Sequence, residues 1–351
     1  MTAAAGAGLL TFPWATKKLG VVLMVSVTVL FACCNMFTDM VLVLFARRHA
    51  ATMKEHTFEE LVDIVVPRRS AYSLALTCVI LNSLGALIGF EIIAGDLLVP
   101  LADRLFGADA FLADRRVLIA LFGMVLGLPL SMLPNMHSLR CSSTIAMATV
   151  LFVAGVVVAR GIEHRAGLPP SHTEDVMLAS SSPDLFAGLP IAVFTLGNQL
   201  NVPPLYAHMP SQVKPHAKTV VIAAVSGCVC LYFLVGICGY LNFLGDTEGD
   251  ILKNYTESTV FMDSVKAVMG FHILLAFPVV CLPARDAVVL FVERSAEVTV
   301  TRRTRLALVV VLVMFTTGVA IAVPQVNVVF GLIGSTVSVG IIYLLPAAML
   351  L

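Results

Sequence analysis

Long apolar runs limit what this chain can become more than any other feature. The run 306–323 carries no charged side chain, and 21–45 carries one, Asp39. A helix needs about 20 apolar residues to cross the hydrocarbon of a bilayer, whereas a barrel strand is shorter and alternates. Only 13% of the 351 residues are charged and 59% are hydrophobic, with a mean hydropathy of +0.96. So few polar groups cannot cover a water-facing surface of this size. The chain therefore reads as an all-α, multi-pass integral membrane protein, with residues 1–351 forming one transmembrane domain in contact with lipid. The formal net charge of 0 argues neither for nor against nucleic acid, and the membrane location argues against that partner.

Ten spans are expected, at about 3–15, 21–45, 70–101, 117–133, 141–159, 185–206, 219–244, 259–292, 306–323 and 326–351. Two of them carry breaks. Gly6, Gly8 and Pro13 interrupt the first, since glycine weakens and proline removes helical hydrogen bonds. The sixth contains Gly197-Asn198-Gln199-Leu200-Asn201-Val202-Pro203-Pro204, three amides and two prolines at membrane depth. In lipid a broken helix survives only where its freed backbone lines a cavity or meets other protein. Paired interruptions five spans apart point to an inverted-repeat transporter with its site at the midplane. The halves would be 1–159 and 185–351, joined by an outer loop, 160–184. The bland alternative is that Gly6 and Gly8 let two helices pack closely.

Loops add detail. Segment 58–65 reads as a short amphipathic helix on the membrane surface. The third span is too long to stand upright, so tilt or an extramembrane extension is expected. Pro134-Asn135 stops the fourth span, and 160–184, with Pro169-Pro170, reads as a mobile loop. With the N-terminus in the cytosol, the inner loops (47–69, 135–141, 208–218, 285–305) hold 13 Lys+Arg against 7 Asp+Glu. The outer loops (17–20, 103–116, 160–184, 246–257) hold 8 against 11, in accord with a positive inner side. The Asn254-Tyr255-Thr256 glycosylation triplet then falls outside. The eight cysteines lack a Cys-x-x-Cys pair and read as buried small apolar residues. Met1 sits almost on the first span, which implies missing N-terminal residues.

Several stretches resemble the amino acid/auxin permease family. Gly239-Tyr240-Leu241-Asn242-Phe243-Leu244-Gly245, followed by Gly249-Asp250-Ile251-Leu252-Lys253-Asn254-Tyr255, is similar to its seventh-span signature. Gly6-Ala7-Gly8-Leu9-Leu10-Thr11-Phe12-Pro13 resembles the first-span Gly-x-Gly-Ile-Leu-x-Leu-Pro. Ile92-Ile93-Ala94-Gly95-Asp96-Leu97-Leu98 looks like the third span of the vacuolar and sodium-coupled neutral branches. Leu128-Pro129-Leu130-Ser131 and Phe330-Gly331-Leu332-Ile333-Gly334-Ser335-Thr336 with Leu345-Pro346-Ala347 fit the fourth and tenth spans. The resemblance implies the leucine-transporter fold and secondary active transport of amino acids in a vacuolar, lysosomal or plasma membrane. It places a site between the first, third, sixth and eighth spans. Members usually have eleven spans, so part of helix one and helix eleven would be lacking here.

For such a site, the amides of Gly6, Ala7, Gly8 and Leu9 are expected to receive the substrate carboxylate. Groups around Thr195, Gly197, Asn198 and Gln199 are expected to take the amino group, with Phe194 either a gate or a packed ring. No charged cluster accompanies the breaks, so the substrate is expected to be a neutral, zwitterionic amino acid. Ionisable residues at membrane depth are functional hypotheses. Asp96 would cap or order the third span, and Glu91 would pair with a cation or with His272, or face a water-filled vestibule. His272 would titrate or merely pack, and Arg285, beside Asp286, would gate or anchor. The sodium-coupled branch places two threonines where Leu274 and Ala276 stand here, and an asparagine at Thr2, so a proton is the expected coupling ion. No cofactor, metal ligand set or nucleophile–base pair is visible, so an enzyme is not expected. Two alternatives stay open: an amino-acid sensor built on a transporter fold, and a non-functional partial gene product.

Overall fold

The computed structural model of the chain describes residues 2–107, 109–132, 140–167, 176–257, 259–296 and 300–351. Pro134-Asn135 and Pro169-Pro170 lie outside them. Among the described residues all regular structure is helical. In order come α1 (Thr2–Leu19), α2 (Val21–Arg48), α3 (Phe58–Val65), α4 (Arg69–Phe106) and α5 (Arg115–Ala120). A π-helical stretch, Leu121–Gly127, leads into α6 (Leu128–Ser131), then α7 (Arg140–Gly167), α8 (Leu185–Leu196) and α9 (Val202–His208). After these run α10 (Ala217–Phe243), α11 (Ile251–Asn254), α12 (Val260–Ala296) and α13 (Arg302–Ala322). The chain closes with α14 (Val326–Ser335), α15 (Val337–Val339), a π-helical Gly340–Leu344 and α16 (Leu345–Ala348).

Among the described residues seven helical runs are long and apolar enough to cross a membrane, and α14 with its continuation, bent by 41°, is an eighth if taken as one span. The first and fourth expected spans are α1 and the run from α5 to α6. Burial separates centre from rim. The apolar windows of α4 and α12 are 72% and 67% buried, against 28% for α2, so α4 and α12 form the middle of the bundle. On α2, Val22, Leu30, Phe37 and Leu44 stay exposed, which suits a helix whose outer face meets lipid. Cys33, Cys34 and Cys230 share such faces, so the expectation that all the cysteines are buried fails there. At 38 residues, α4 runs for about 57 Å, the over-length span expected.

The largest departure concerns α1. It is helical without interruption from Thr2 to Leu19, so the expected unwinding at Gly6–Leu9 is absent. The two glycines serve close packing instead. A Cβ on Gly6 would overlap the His272 ring, and one on Gly8 would come within 2.6 Å of Thr195 Cγ2. Pro13 stays inside the helix because its ring nests on α10, where a Cβ on Gly239 would lie 2.8 Å from it.

In the second half the break is real. α8 ends at Leu196, Gly197 is extended, and a 3₁₀ turn at Gln199–Asn201 leads into α9. Pro203 and Pro204 stand in the first turn of α9, where a missing N–H costs nothing. A second bend, at Thr336 between α14 and α15, was not anticipated.

Two loop expectations also change. The apolar side of α3 (Phe58, Leu61 and Val62) is buried against α4 and α9, so this helix rests on protein. The described end of the outer loop is pinned: Val21 and Val22 N–H donate to the Met177 and Leu178 carbonyls at 3.0 and 2.8 Å. Ser180 N–H returns a bond to Leu19 O at 2.8 Å. Gly20, at φ 83°, supplies the left-handed turn that this contact needs. The Asn254 amide is occupied too, donating to Asp246 O and accepting from Glu248 N–H, both at 2.8 Å, so a glycan there would cost that loop its ties.

The closest helix approach gives a prediction. A Cβ on Gly334 would overlap the Pro190 backbone, whereas one on Gly331 meets nothing within 4 Å. Gly334→Ala is expected to destabilise the protein by about 1–3 kcal/mol through forced separation of α14 from α8. Gly331→Ala is expected to be neutral or slightly stabilising. Apparent melting temperatures in detergent check this, and equal values for the two variants would refute it.

Candidate functional site

The break in the sixth span opens onto a cavity of about 80 Å³. Ala7 and Gly8 of α1, Asn82 and Ser83 of α4, and Val279 and Pro283 of α12 contribute to it. Phe194, Gly197, Gln199 and Asn201 line it from the break, and Ser338 and Ile341 from the closing segment. No ionisable side chain is among the lining residues. Its polar groups are amides, hydroxyls and backbone, and Ser338 Oγ donates to Asn82 Oδ1 at 3.0 Å.

Breaking a helix frees peptide groups, and in a membrane each needs a partner. Partners come from α2, α10 and the break itself, and on α2 the residues Asn35, Thr38 and Asp39 stand three and four apart and so share one face. Asn35 Nδ2 donates to Leu196 O at 2.5 Å, and Tyr232 Oη on α10 donates to Thr195 O at 2.9 Å. Gln199 Nε2 donates to Asn35 Oδ1 and Thr38 Oγ1 at 3.1 and 3.2 Å, while its Oε1 accepts from Asn198 N–H at 3.0 Å. Asn198 Nδ2 donates to Asp39 Oδ2 at 2.8 Å. Sequence reasoning noted Asp39 without assigning it a role and did not use Thr38 or Tyr232. The available signal was the polar face itself, facing three amides whose demands a membrane cannot meet.

Of the expected substrate residues, Ala7, Gly8, Phe194, Gly197 and Gln199 come together on the cavity. Gly6 turns to His272, while Leu9 and Thr195 are buried behind the cavity wall. Asn198 faces a smaller void of about 30 Å³ with Thr195, Leu196, Ala224 and Cys228. Because α1 is helical here, the amides of Gly6, Ala7, Gly8 and Leu9 serve its own hydrogen-bond ladder and are not bare, which corrects the expected carboxylate cradle. Phe194 is both wall and packed ring, stacked on Phe330 with centroids 4.4 Å apart.

The expected coupling residues scatter. Glu91, fully buried, accepts from Thr316 Oγ1 of α13 at 2.8 Å, so the pairing with His272 is not found. Gly123, in the π-helical stretch, makes room for it: a Cβ there would overlap Thr317 Oγ1 and lie 3.3 Å from Glu91 Oε1. His272 is buried on α12 against Gly6. Arg285 Nε binds Asp286 at 2.9 Å, a link within one helix that ties no second element.

Asp96 lies at the far end of α4, where it orders the span. It receives Arg115 Nε at 2.6 Å and lies 3.5 Å from Lys253 Nζ, while Arg115 also donates to Pro324 O at 3.3 Å. Beside it, Asp250 caps α11 by accepting from Leu252 N–H at 2.9 Å. Burial pushes the Asp250 carboxyl from its ordinary 3.8 up to about 7, with Asp96 adding to the rise and Leu252 N–H, Lys253 and Lys266 opposing it.

The model of the family described as transmembrane amino acid transporter protein matches residues 1–351. Amino acid transporter AVT6E of Arabidopsis thaliana is 28% identical over 99% of this chain and 73% of its own length. Putative sodium-coupled neutral amino acid transporter 11 of Bos taurus is 25% identical over 98% of this chain and 72% of its own. Among solved structures, MhsT in complex with L-phenylalanine superposes with a TM-score of 0.59 at 14% identity, covering 99% of this chain and 96% of that one. That likeness establishes the leucine-transporter-like fold.

Two predictions follow from the geometry. Tyr232→Phe is expected to cost about 1–3 kcal/mol, because the Thr195 carbonyl loses its donor in a buried setting; the apparent melting temperature measures it. The second concerns Asp250. A carboxyl raised in the folded chain contributes stability that is complete below 3.8 and lost as pH rises through about 7. Apparent melting temperature is therefore expected to fall between about pH 4 and pH 7, and Asp250→Asn to flatten that fall. An unchanged slope in the variant would show that another group sets it.

Proposed function

Because the chain belongs to the transmembrane amino acid transporter family, we propose that it carries neutral amino acids across its membrane by alternating access. The substrate sits in the cavity at the sixth-span break. One observation carries this reading: interrupted backbone and uncharged polar side chains converge on one cavity. A zwitterion needs donors for its carboxylate and acceptors for its ammonium, and a charged substrate side chain would need a counter-ion that the lining lacks. A cavity of about 80 Å³ holds several waters at about 10–15 Å³ each. The room suits a small amino acid.

With the amides of α1 engaged, Asn82 Nδ2 and Ser83 Oγ are the side-chain donors for the carboxylate, and the Gly197 backbone faces the ammonium. The halves 1–159 and 185–351, joined through 160–184, rock about this site. Transport runs on a proton gradient. Leu274 and Ala276 offer carbon where the sodium-coupled branch has hydroxyls, and sodium wants several oxygen ligands. Glu91 and His272 are buried titratable groups at membrane depth.

The test is uptake of labelled neutral, cationic and anionic amino acids into proteoliposomes, with proton and sodium gradients set separately. Neutral substrates alone are expected to accumulate, and only with the proton gradient. Ala86→Trp, which fills the cavity from α4, is expected to cut uptake on the order of tenfold, about 1.4 kcal/mol. Preference for a cationic substrate, or stimulation by external sodium at fixed pH and voltage, overturns the reading.

A further inference from the structure

We propose that Asp39 and Asn198 bind the driving proton, which closes an acid–amide pair against the break in the sixth span. The inference rests on the carrier reading above and assigns coupling to residues not considered there. Asn198 Nδ2 already donates to Asp39 Oδ2 at 2.8 Å. The other oxygen of each side chain, Asp39 Oδ1 and Asn198 Oδ1, is buried and has no hydrogen-bond partner among the described residues. An ionised carboxylate and an amide oxygen are both acceptors only, so neither can satisfy the other. A proton on Asp39 turns one of them into a donor, and the pair can then make two hydrogen bonds.

The surroundings select a proton over a metal cation. A hard cation needs several oxygens, and the nearby ones are engaged. Asn35 Oδ1 and Thr38 Oγ1 accept from Gln199, Leu196 O accepts from Asn35, and Thr195 O accepts from Tyr232. Asp39 is 0% exposed and forms no ion pair among the described residues. A lone carboxylate at that depth is costly to keep charged. The elements packed on α2 carry Lys17 and Lys18 (α1), Glu59 (α3), His208 (α9), Cys228 (α10) and Tyr343 (the closing segment), and none of these pairs with Asp39 among the described residues. Tyr232 of α10 directs its hydroxyl to Thr195. Among the described residues the Asp39 carboxylate accepts its hydrogen bond from Asn198. The void of about 30 Å³ beside Asn198 has room for about two waters, enough to relay a proton.

Position makes the pair a coupling device. Gly197 and Gln199, the chain neighbours of Asn198, line the substrate cavity. Proton and substrate therefore act on one three-residue stretch. By linkage, whatever the proton does to substrate affinity, the substrate does to proton affinity. With the proton in place α2 grips the break through two bonds; without it, two acceptors face each other and the grip loosens.

The experiment uses the full chain in sodium-free proteoliposomes, with labelled alanine and the voltage clamped. Wild type is expected to take up several-fold more alanine with an inward proton gradient than without, and Asp39→Asn to bring that ratio to one. Infrared difference spectra of the purified chain between acid and alkaline pH give a readout independent of transport. Wild type is expected to show a carboxylic-acid C=O band that Asp39→Asn lacks and Asn198→Ala shifts. A gradient ratio preserved in Asp39→Asn, or lost only in Glu91→Gln, overturns the proposal, as does an infrared difference unaffected by Asp39→Asn. Failure of wild type to take up any amino acid would instead remove the carrier reading, and the infrared band would still decide the proton site.

Discussion

An interrupted helix in a membrane must find partners for the peptide groups that it frees, and this requirement organises the molecule. The break between Leu196 and Val202 can exist only because α2 carries Asn35, Thr38 and Asp39 on one face and α10 carries Tyr232. This explains an oddity of α2. It is the least buried of the long spans, yet its Asn35 and Asp39 are completely enclosed. Polar groups on a lipid-facing helix are tolerated where a second, equally needy segment lies opposite. The cavity follows from the same demand. With the Thr195 and Leu196 carbonyls and the Asn198 and Gln199 side chains fastened from behind, Gly197 is left to line the cavity.

Much of the fold was legible because apolar length and proline are blunt signals. The spans fall where uncharged runs predict them, and the sixth breaks where two prolines follow three amides. What misled was giving Gly6, Gly8 and Pro13 the same weight. Glycine weakens a helix by only about 1 kcal/mol, and whether that weakness is used depends on what lies opposite. Here it is the His272 ring, the Thr195 side chain and, for Pro13, Gly239, so the residues pack and the helix continues. No local pattern carries that information, because the partners lie far away in the chain. The π-helical stretches were missed although a signal existed. Leu121–Gly127 and Gly340–Leu344 each lie just before a proline, Pro129 and Pro346. Proline cannot bond one turn back, and its ring crowds the carbonyl there. Widening the preceding turns relieves both problems.

Charge is distributed by the same logic. The strong ion pairs sit at a helix end, where Asp96 gathers Arg115 and Lys253 and ties α4, α5 and α11 together. Water and neighbouring charges share the cost there. The cavity lining holds none, only amide and hydroxyl groups with backbone and apolar side chains. Asp96 drew notice in the sequence because a carboxylate near a span end stands out in an apolar run. Asp39 escaped because its purpose depends on Asn198, 159 residues away.

Asp39, Glu91 and His272 are buried titratable groups well inside the spans, and what each touches separates them. His272 lies against Gly6 on a continuous helix. Glu91 bonds Thr316 on α13 and rests on Gly123, so its charge state acts on contacts among intact helices. Asp39 alone among the three is fastened to an interrupted segment that also lines the cavity. A ligand shifts a conformational equilibrium only as far as it binds two states differently. A packed helix has few alternative arrangements, whereas a short extended stretch held by side-chain hydrogen bonds can exchange one set for another. A proton that adds or removes one of those bonds therefore acts where the molecule is most able to change.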